Sequence, residues 1–160
     1  IDPFYLSWRA KQCGGETQFI ELAGEINTAM PSHVVDRVCF ELGDATAGSR
    51  VIVVGVSYKP NVSDIRETPA APIIEQLQAR GCEVSYHDPH CPNFPAMKRH
   101  AIDLSSVPLD AAHLAAADAV LIVTNHDAID WTIIGDHASL IVDTRNAMAG
   151  ISVAGRLVKA

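Results

Sequence analysis

Clustered positive charge and long apolar runs are both missing from this sequence. Its 12 lysines and arginines are outnumbered by 19 aspartates and glutamates, which gives a net charge of −7. An acidic surface does not suit binding to nucleic acid or to an anionic membrane, because both present negative groups that need cations. No stretch approaches the roughly 18 apolar residues of a membrane helix, and the first residues have no signal-peptide pattern. We therefore expect a globular protein whose partners include neither nucleic acid nor a membrane.

The sequence also lacks paired cysteines. It has four cysteines and no CxxC motif: Cys13, Cys39, Cys82 and Cys91. In a chain of this length without a secretory signal, such residues are expected to remain thiols in a reducing compartment, so the expected localisation is the cytoplasm. His87, His90 and Cys91 form part of a zinc pattern, but the second pair of ligands that a structural site needs is missing. We predict a solvated surface loop here and no metal site.

Glycine is scarce where a dinucleotide-binding turn would need it. Residues 51–56 are apolar and predict a buried strand, but Gly55 is the only glycine near its end. A GxGxxG turn uses three glycines to bring a pyrophosphate against the backbone at a helix N-terminus. Here the next helix is not predicted before about Thr68, so a charged loop of roughly ten residues lies between. A ligand at this strand end would therefore be bound by side chains.

Apolar periodicity predicts a helical start followed by alternating strands and helices. Residues 1–15 are expected to be irregular, and the spacing of apolar residues at 17–43 predicts an amphipathic helix that Pro31 either kinks or divides in two. After a polar linker, strands are predicted at 51–56, 82–87, 119–123 and 140–142, helices at 68–81, 109–117 and 128–134, and a fifth element at 151–160. This alternation predicts the α/β class: a doubly wound, Rossmann-like parallel sheet with helices on both faces.

Polar side chains follow each of the four predicted strands. Right-handed crossovers place the carboxyl ends of parallel strands along one edge, where ligands bind in such folds. The segments at that edge would be 57–59, 87–88, 124–127 and 143–146. Lys59 and Arg145 would form a cationic pair suited to a phosphorylated ligand, because arginine grips oxygens bidentately and lysine adds a mobile charge. The alternative is that Asp64, Asp88 or Asp143 neutralises both in salt bridges.

Two long motifs resemble those of one known family. The stretch GVSYKPNVSDIRETP at 55–69, followed by GCEVSYHDP at 81–89, resembles the C-terminal, UDP-sugar-binding part of the UDP-glucose/GDP-mannose dehydrogenases. The opening IDPFYLSW and the segment FIELAGEIN are most similar to the branch that oxidises UDP-N-acetylglucosamine or UDP-N-acetylmannosamine. The resemblance covers nearly the whole chain and implies an oxidoreductase of polysaccharide biosynthesis.

The resemblance implies an NAD-dependent conversion of a sugar CH2OH to a carboxylate, by two hydride transfers through a cysteine thioester. In the family the nucleophilic cysteine lies four residues before an aspartate that Asp2 matches, so it would lie just upstream of Ile1. None of the four cysteines of this chain matches that position. Asp2 is expected to position or activate the hydrolytic water, a general-base type of role. We expect the 160-residue chain to be inactive on its own.

The resemblance also implies which residues bind ligands. Tyr58 and Lys59 match an aromatic–lysine pair that contacts the UDP-sugar, and Arg145 matches an arginine that binds the same nucleotide sugar. Arg66 matches an arginine that reaches NAD across a domain cleft, with Asp64 expected to hold its loop. NAD itself would be bound mainly by an N-terminal domain that this sequence does not contain.

The same resemblance divides the chain into two parts. Residues 1–44 would be the tail of a central domain, and 45–160 the UDP-sugar-binding, Rossmann-like domain. The 17–43 helix matches the one through which family members dimerise, so a homodimer is expected, although its apolar stripe alone fits packing on its own domain as well. A non-catalytic nucleotide-binding or dimerisation module is the alternative function. A phosphoacceptor receiver domain is disfavoured, because the first strand ends in Tyr58, Lys59 and Pro60 rather than in clustered acids.

Overall fold

The computed structural model describes residues 2–160, and the side chain of Asp2 lies outside the described part, so its predicted role stays a prediction. Within that range the helices and strands follow in this order: α1 (Asp2–Gln12), α2 (Gln18–Leu42), β1 (Arg50–Val54), α3 (Ala70–Ala79), β2 (Glu83–His87), α4 (Ala111–Ala116), β3 (Ala119–Ile122), α5 (Trp131–His137), β4 (Leu140–Asp143) and β5 (Arg156–Lys159). A 3₁₀ turn, Gly43–Ala45, follows α2. None of the described helices is both long and apolar enough to cross a membrane.

The five strands form one parallel sheet in the order β2-β1-β3-β4-β5. Successive residues of β1 point to opposite faces: Val51 and Val53 pack under α2 and α3, and Ile52 and Val54 pack under α4 and α5. Helices thus cover both faces, as the apolar strands predict. The doubly wound prediction is confirmed, and the predicted fifth element is the edge strand β5.

The sheet order places a crevice at the carboxyl ends of β1 and β3. From β1 the chain first adds β2 on one side and then β3 on the other, so the direction of winding reverses between β1 and β3. Open α/β sheets bind ligands at such a switch point, outside the carboxyl ends of the strands. We call this side of the sheet the carboxyl edge.

The expectation of an irregular segment at 1–15 is wrong, because α1 is an 11-residue helix. Its large apolar residues do not face a core in this chain: Phe4, Tyr5, Leu6 and Trp8 are all more than half exposed. A helix without a buried stripe lacks the period by which sequence patterns are recognised. Contact with α2 holds it in place, with the Thr17 hydroxyl donating a 2.6 Å hydrogen bond to that of Ser7.

Of the two alternatives for the next segment, one continuous helix is right. α2 runs for 25 residues with Pro31 inside it. Its carboxyl half packs on its own domain, since Val34, Val35 and Val38 are buried in the core beside α3. Its amino half leaves large apolar side chains exposed, and Phe19 is 89% exposed.

Side-chain hydrogen bonds lie at the starts of α3 and α5. The Thr68 hydroxyl accepts a 3.2 Å hydrogen bond from the backbone N–H of Ala70, at the first residue of α3. The carboxylate of Asp130 accepts one of 3.0 Å from the N–H of Thr132 and caps α5. The helix predicted at 128–134 therefore begins three residues later, at Trp131, because the Asp130 side chain satisfies one of the first free N–H groups, that of Thr132.

Candidate functional site

The segment after β1 forms a tied loop, residues 57–61, which we call the Lys59 loop. Its first end is held by Asp88, whose Oδ2 accepts from the backbone N–H groups of Val56 at 2.7 Å and Ser57 at 3.1 Å. The Thr124 hydroxyl, just beyond β3, donates a 2.6 Å hydrogen bond to the carbonyl of Ser57. Neighbouring strands β2 and β3 therefore both fix the start of the loop.

The other end of the Lys59 loop is held from β3 alone. The backbone N–H of Asn61 donates to Nδ1 of His126 at 2.9 Å. The amide of Asn61 exchanges two further hydrogen bonds with Asp127: Nδ2 donates to Oδ2 at 2.8 Å, and Oδ1 accepts from the N–H of Asp127 at 2.9 Å. Asn61 has φ 63°, in the left-handed region that asparagine tolerates better than most residues.

The tip of the loop carries the two side chains that were predicted to contact ligand. Tyr58 is 41% exposed and Lys59 is exposed. The ammonium Nζ of Lys59 lies 4.8 Å from the centroid of the Tyr58 ring, which is cation–π geometry. Among the carboxylates that the structure describes, none forms an ion pair with Lys59. Its charge is therefore presented to solvent at the carboxyl edge.

Asp88 and His126 form a buried polar pair beneath the loop. Nε2 of His126 lies 3.1 Å from Oδ2 of Asp88, and both side chains are fully buried. Burial acts to raise the pKa of Asp88, but hydrogen bonds from the backbone N–H groups of Val56 and His90 outweigh it, so the pKa lies below 3.8. Burial lowers the pKa of His126 below 6.5 despite its carboxylate neighbour. Near neutral pH the contact is thus a hydrogen bond from a neutral imidazole to a carboxylate.

Arg145 follows β4 and reaches back over the end of β3. Its Nε donates a 2.5 Å hydrogen bond to the carbonyl of Val123, directly beyond β3. Asp143 is buried and accepts from the backbone N–H groups of Arg145 and Met148, at 2.8 and 2.9 Å, rather than from the guanidinium. In the described part of the chain no carboxylate pairs with the Arg145 guanidinium. The salt-bridge alternative is therefore wrong for both predicted cations.

A third cation at this edge was not predicted. Lys159, the last residue of β5, pairs in register with Asp143, and its Nζ donates a 2.7 Å hydrogen bond to Oδ1 of Asn146. It thus stands beside the residue that follows Arg145. The only sequence signal for it was the short apolar pattern of the tail, which did not identify the tail as a strand.

Arg66 lies further along the same connection and is 88% exposed at its side chain. Asp64 holds it through two hydrogen bonds, from Nε to Oδ1 at 3.1 Å and from Nη2 to Oδ2 at 2.8 Å. The side-chain hydrogen bond from Arg66 is the main cause that lowers the pKa of Asp64 to about 2. The arginine predicted to reach a cofactor is thus oriented by its neighbour and open to solvent.

Gly55 serves a close approach of two strands and not a phosphate turn. It has φ 78°, and a Cβ at this position would collide with the backbone carbonyl of Thr124. The chain therefore needs glycine here so that the ends of β1 and β3 can lie side by side. This contact explains a lone glycine at a strand end where the other two of a GxGxxG turn are absent.

The segment after β2 is more buried than a solvated loop. Cys91 and Phe94 are 4% and 7% exposed, and the Tyr86 hydroxyl donates a 3.0 Å hydrogen bond to the carbonyl of Cys91. The prediction of a solvated surface loop at His87, His90 and Cys91 is therefore wrong, because Cys91 and Phe94 belong to the hydrophobic core. Among residues 2–160, no group of three histidines, cysteines or acids has a metal-binding arrangement.

The four cysteines are free, and none lies among the side chains of the Lys59 loop. Cys82 and Cys91 are buried, and burial raises the pKa of each thiol. Cys13 is exposed between α1 and α2, and Cys39 is half-buried on α2. A thiol with a raised pKa is a poor nucleophile, so the two buried cysteines are structural.

Comparison with known proteins identifies the family of this chain. Residues 52–150 match the UDP binding domain of the UDP-glucose/GDP-mannose dehydrogenase family. Protein CapL from Staphylococcus aureus is 31% identical over 129 residues, which make up 79% of this chain and 30% of the relative. A UDP-N-acetyl-D-mannosamine dehydrogenase from Methanococcus maripaludis is 32% identical over 131 residues, 80% of this chain and 27% of the relative. The chain spans about a third of the length of these relatives.

Solved structures agree with that match. A UDP-N-acetyl-mannosamine dehydrogenase from Staphylococcus aureus has a TM-score of 0.69 at 28% identity, over 89% of this chain and 33% of that one. A UDP-D-ManNAc dehydrogenase from Pyrococcus horikoshii has a TM-score of 0.76 over 99% of this chain and 36% of that one, and at 24% identity it supports the fold alone. The chain therefore belongs to the UDP-glucose/GDP-mannose dehydrogenase family, with residues 52–150 matching its UDP binding domain.

Proposed function

We propose that this chain is the UDP-sugar-binding part of an NAD-dependent UDP-sugar 6-dehydrogenase, and that it binds a UDP-sugar at the carboxyl edge. One observation carries the proposal: Lys59 and Arg145 are exposed on either side of the end of β3, and no described carboxylate neutralises either of them. In a chain with a net charge of −7, two uncompensated cations at a switch-point crevice favour an anionic ligand.

Lys59 and Arg145 would bind the diphosphate in different ways. Because Nε of Arg145 is already bonded to Val123, its terminal N–H groups remain to bind phosphate oxygens. Lys59 would add a point charge from the opposite side, and Tyr58 would offer an aromatic face beside it. Side chains thus replace the backbone amides of a glycine-rich turn.

We extend the proposal to the cofactor through Arg66. NAD, when bound, supplies the hydride acceptor for both oxidation steps. A guanidinium that is exposed and oriented by Asp64 fits the pyrophosphate of such a cofactor. Asp2 is proposed to act on the hydrolytic water. The thioester would form on a cysteine outside this chain, since Cys82 and Cys91 are buried with raised pKa values, and Cys13 and Cys39 lie at the helices α1 and α2, away from the carboxyl ends of the strands.

The substrate proposed is a UDP-N-acetylhexosamine. Relatives named UDP-N-acetyl-D-mannosamine dehydrogenase reach 32% identity and cover most of this chain, which favours that branch. Sugar selectivity among such substrates would come from parts of the protein outside residues 1–160. The chain alone is proposed to bind the nucleotide and to form no NADH.

A homodimer through α1 and α2 is part of the same proposal. The exposed large apolar residues of α1 and of the amino half of α2 are Phe4, Tyr5, Leu6, Trp8, Phe19, Leu22, Ile26 and Met30. Exposed apolar residues in this number on two contacting helices are typical of an interaction surface. The alternative function, a dimerisation module without catalysis, rests on the same patch and differs in requiring no nucleotide binding.

Calorimetric titration of the chain with UDP, UDP-N-acetylglucosamine and UDP-N-acetylmannosamine tests the proposal. We expect saturable binding of all three, and no NADH when NAD is added. The absence of heat with every ligand would refute nucleotide binding at this edge, and turnover by the chain alone would refute the assignment of the nucleophile to a site outside it.

A further inference from the structure

Both ring nitrogens of His126 form hydrogen bonds, and the two bonds together determine which nitrogen carries the proton. The backbone N–H of Asn61 can only donate, so Nδ1 of His126, at 2.9 Å, must be an unprotonated acceptor. Nε2 then carries the proton and donates to Asp88 at 3.1 Å. His126 is 0% exposed, so water cannot replace either partner without opening the site.

This histidine bridges the buried pair to the far end of the Lys59 loop. Four hydrogen bonds fix the first end: Asp88 accepts three from Val56 and Ser57, and Thr124 donates one to the carbonyl of Ser57. Of the described contacts at the far end, only that with the imidazole involves a fully buried side chain, since the contacts between Asn61 and Asp127 are exposed. Exposed hydrogen bonds compete with water and hold a loop weakly. The N–H of Tyr58 also donates a 2.8 Å hydrogen bond to the carbonyl of Asp64, so the direction in which Lys59 points depends on that bond and on His126.

We propose that His126 is a positioning residue for nucleotide binding: its neutral imidazole grips the N–H of Asn61 and so fixes Lys59 toward the diphosphate. This inference rests on the proposed binding of a UDP-sugar at the carboxyl edge. His126 itself touches no ligand. Because the loop that carries Lys59 is already ordered, ligand binding loses less conformational entropy than it would with a mobile loop.

Two substitutions distinguish a positioning role of His126 from a role in packing alone. In His126→Asn the side-chain oxygen stands where Nδ1 stood and can accept from Asn61, while the contact with Asp88 is lost. In His126→Gln the terminal amide stands where Nε2 stood and can donate to Asp88, while the acceptor for Asn61 is lost. Both replacements are polar, and each keeps one of the two hydrogen bonds.

The experiment measures the dissociation constant of UDP-N-acetylglucosamine for the wild-type chain and both variants, after circular dichroism has confirmed their folding. We expect His126→Asn to stay within about threefold of wild type and His126→Gln to weaken binding about tenfold, the cost of one buried hydrogen bond. Equal losses in both variants, or no loss in either, would overturn the positioning role and leave the proposed function standing. No binding by the wild-type chain would instead refute the proposed function.

A second measurement needs only the wild-type chain, should a variant fail to fold. Protonation of Nδ1 removes the acceptor for Asn61, so affinity for the UDP-sugar should fall about tenfold as the pH is lowered through the protonation of His126, which NMR titration of the same chain locates. The charged and titratable neighbours that face His126 are Asp88, His87 and His90. Affinity that stays constant while His126 becomes protonated, in a chain that remains folded, contradicts the inference.

Discussion

Oδ2 of Asp88 lies 3.1 Å from Nε2 of His126, in a pair whose two side chains are completely shielded from water. The pair sits directly under the loop that carries Lys59, because Asp88 also binds the N–H groups of Val56 and Ser57. The conformation of the exposed loop that is proposed to bind the nucleotide is thus set in part by buried groups that titrate.

The first prediction concerns stability below neutral pH. The pKa of His126 is lowered in the folded state, chiefly by burial, so between its ordinary value of 6.5 and its folded value the unfolded chain binds more protons. The contribution of His126 to the free energy of unfolding should therefore be fully present above pH 6.5. It should be lost as the pH falls toward the folded pKa, by at most about 1.4 kcal/mol per pH unit. Urea unfolding at pH 7.5, 6.5 and 5.5 measures this loss.

His126→Asn is the control for that measurement, because the chain has six other histidines. The difference in unfolding free energy between wild type and variant should shrink as the pH falls. A difference that is constant from pH 7.5 to 5.5 would show that His126 does not bind protons differently in the folded and unfolded chain.

The second prediction concerns the two free cations. Lys59→Ala and Arg145→Ala should each weaken UDP binding about 10- to 100-fold, since a hydrogen bond to a charged group contributes about 1.5–3 kcal/mol. Arg145→Lys should restore only part of the loss, because lysine cannot bind bidentately. Arg50→Ala is the control: it removes the same charge at the opposite end of β1 and should leave the affinity unchanged. Equal weakening by the control would mean that net charge alone is responsible.

The third prediction concerns Gly55. Gly55→Ala should lower the free energy of unfolding by about 3 kcal/mol, because the added methyl group meets the backbone of Thr124 at a positive φ. Gly150 has the same φ of 78° but open space around the Cβ position, so Gly150→Ala should cost only about 1 kcal/mol. Chemical denaturation compares the two. Similar losses would mean that the conformation of Gly55, and not its contact with β3, requires glycine.

The fourth prediction concerns the exposed apolar side of α2. If that surface joins two chains, Phe19→Asp and Ile26→Asp should convert a dimer into a monomer in light scattering, because each places a charge in an apolar interface. Phe40→Asp alters an exposed aromatic residue in the carboxyl half of the helix and serves as the control. A chain that is monomeric before any substitution would contradict the dimer.

Most of the fold could be predicted from the sequence because most helices and strands have a recognisable local pattern of residues. Residues 119–122 are apolar throughout, and Asp130 marks the start of α5, so the alternation of strands and helices is visible without tertiary information. The helix at Asp2–Gln12 was missed for the opposite reason: its apolar residues are exposed in this chain, so no stripe separates from a polar face.

The site could be predicted only in part. Lys59 and Arg145 were placed correctly at one edge, because each lies in the segment that follows a strand of a parallel sheet. The function of His126 depends on a backbone N–H that lies 65 residues away in the sequence. No local pattern indicates which N–H a histidine will bind, since that is decided by how β1 and β3 align.

The most direct test of the account is a crystal structure of the chain with UDP bound. We predict that the diphosphate lies at the end of β3, within hydrogen-bond distance of both Nζ of Lys59 and the terminal nitrogens of Arg145. A nucleotide bound elsewhere, or one that leaves either of these side chains without a phosphate contact, would contradict it.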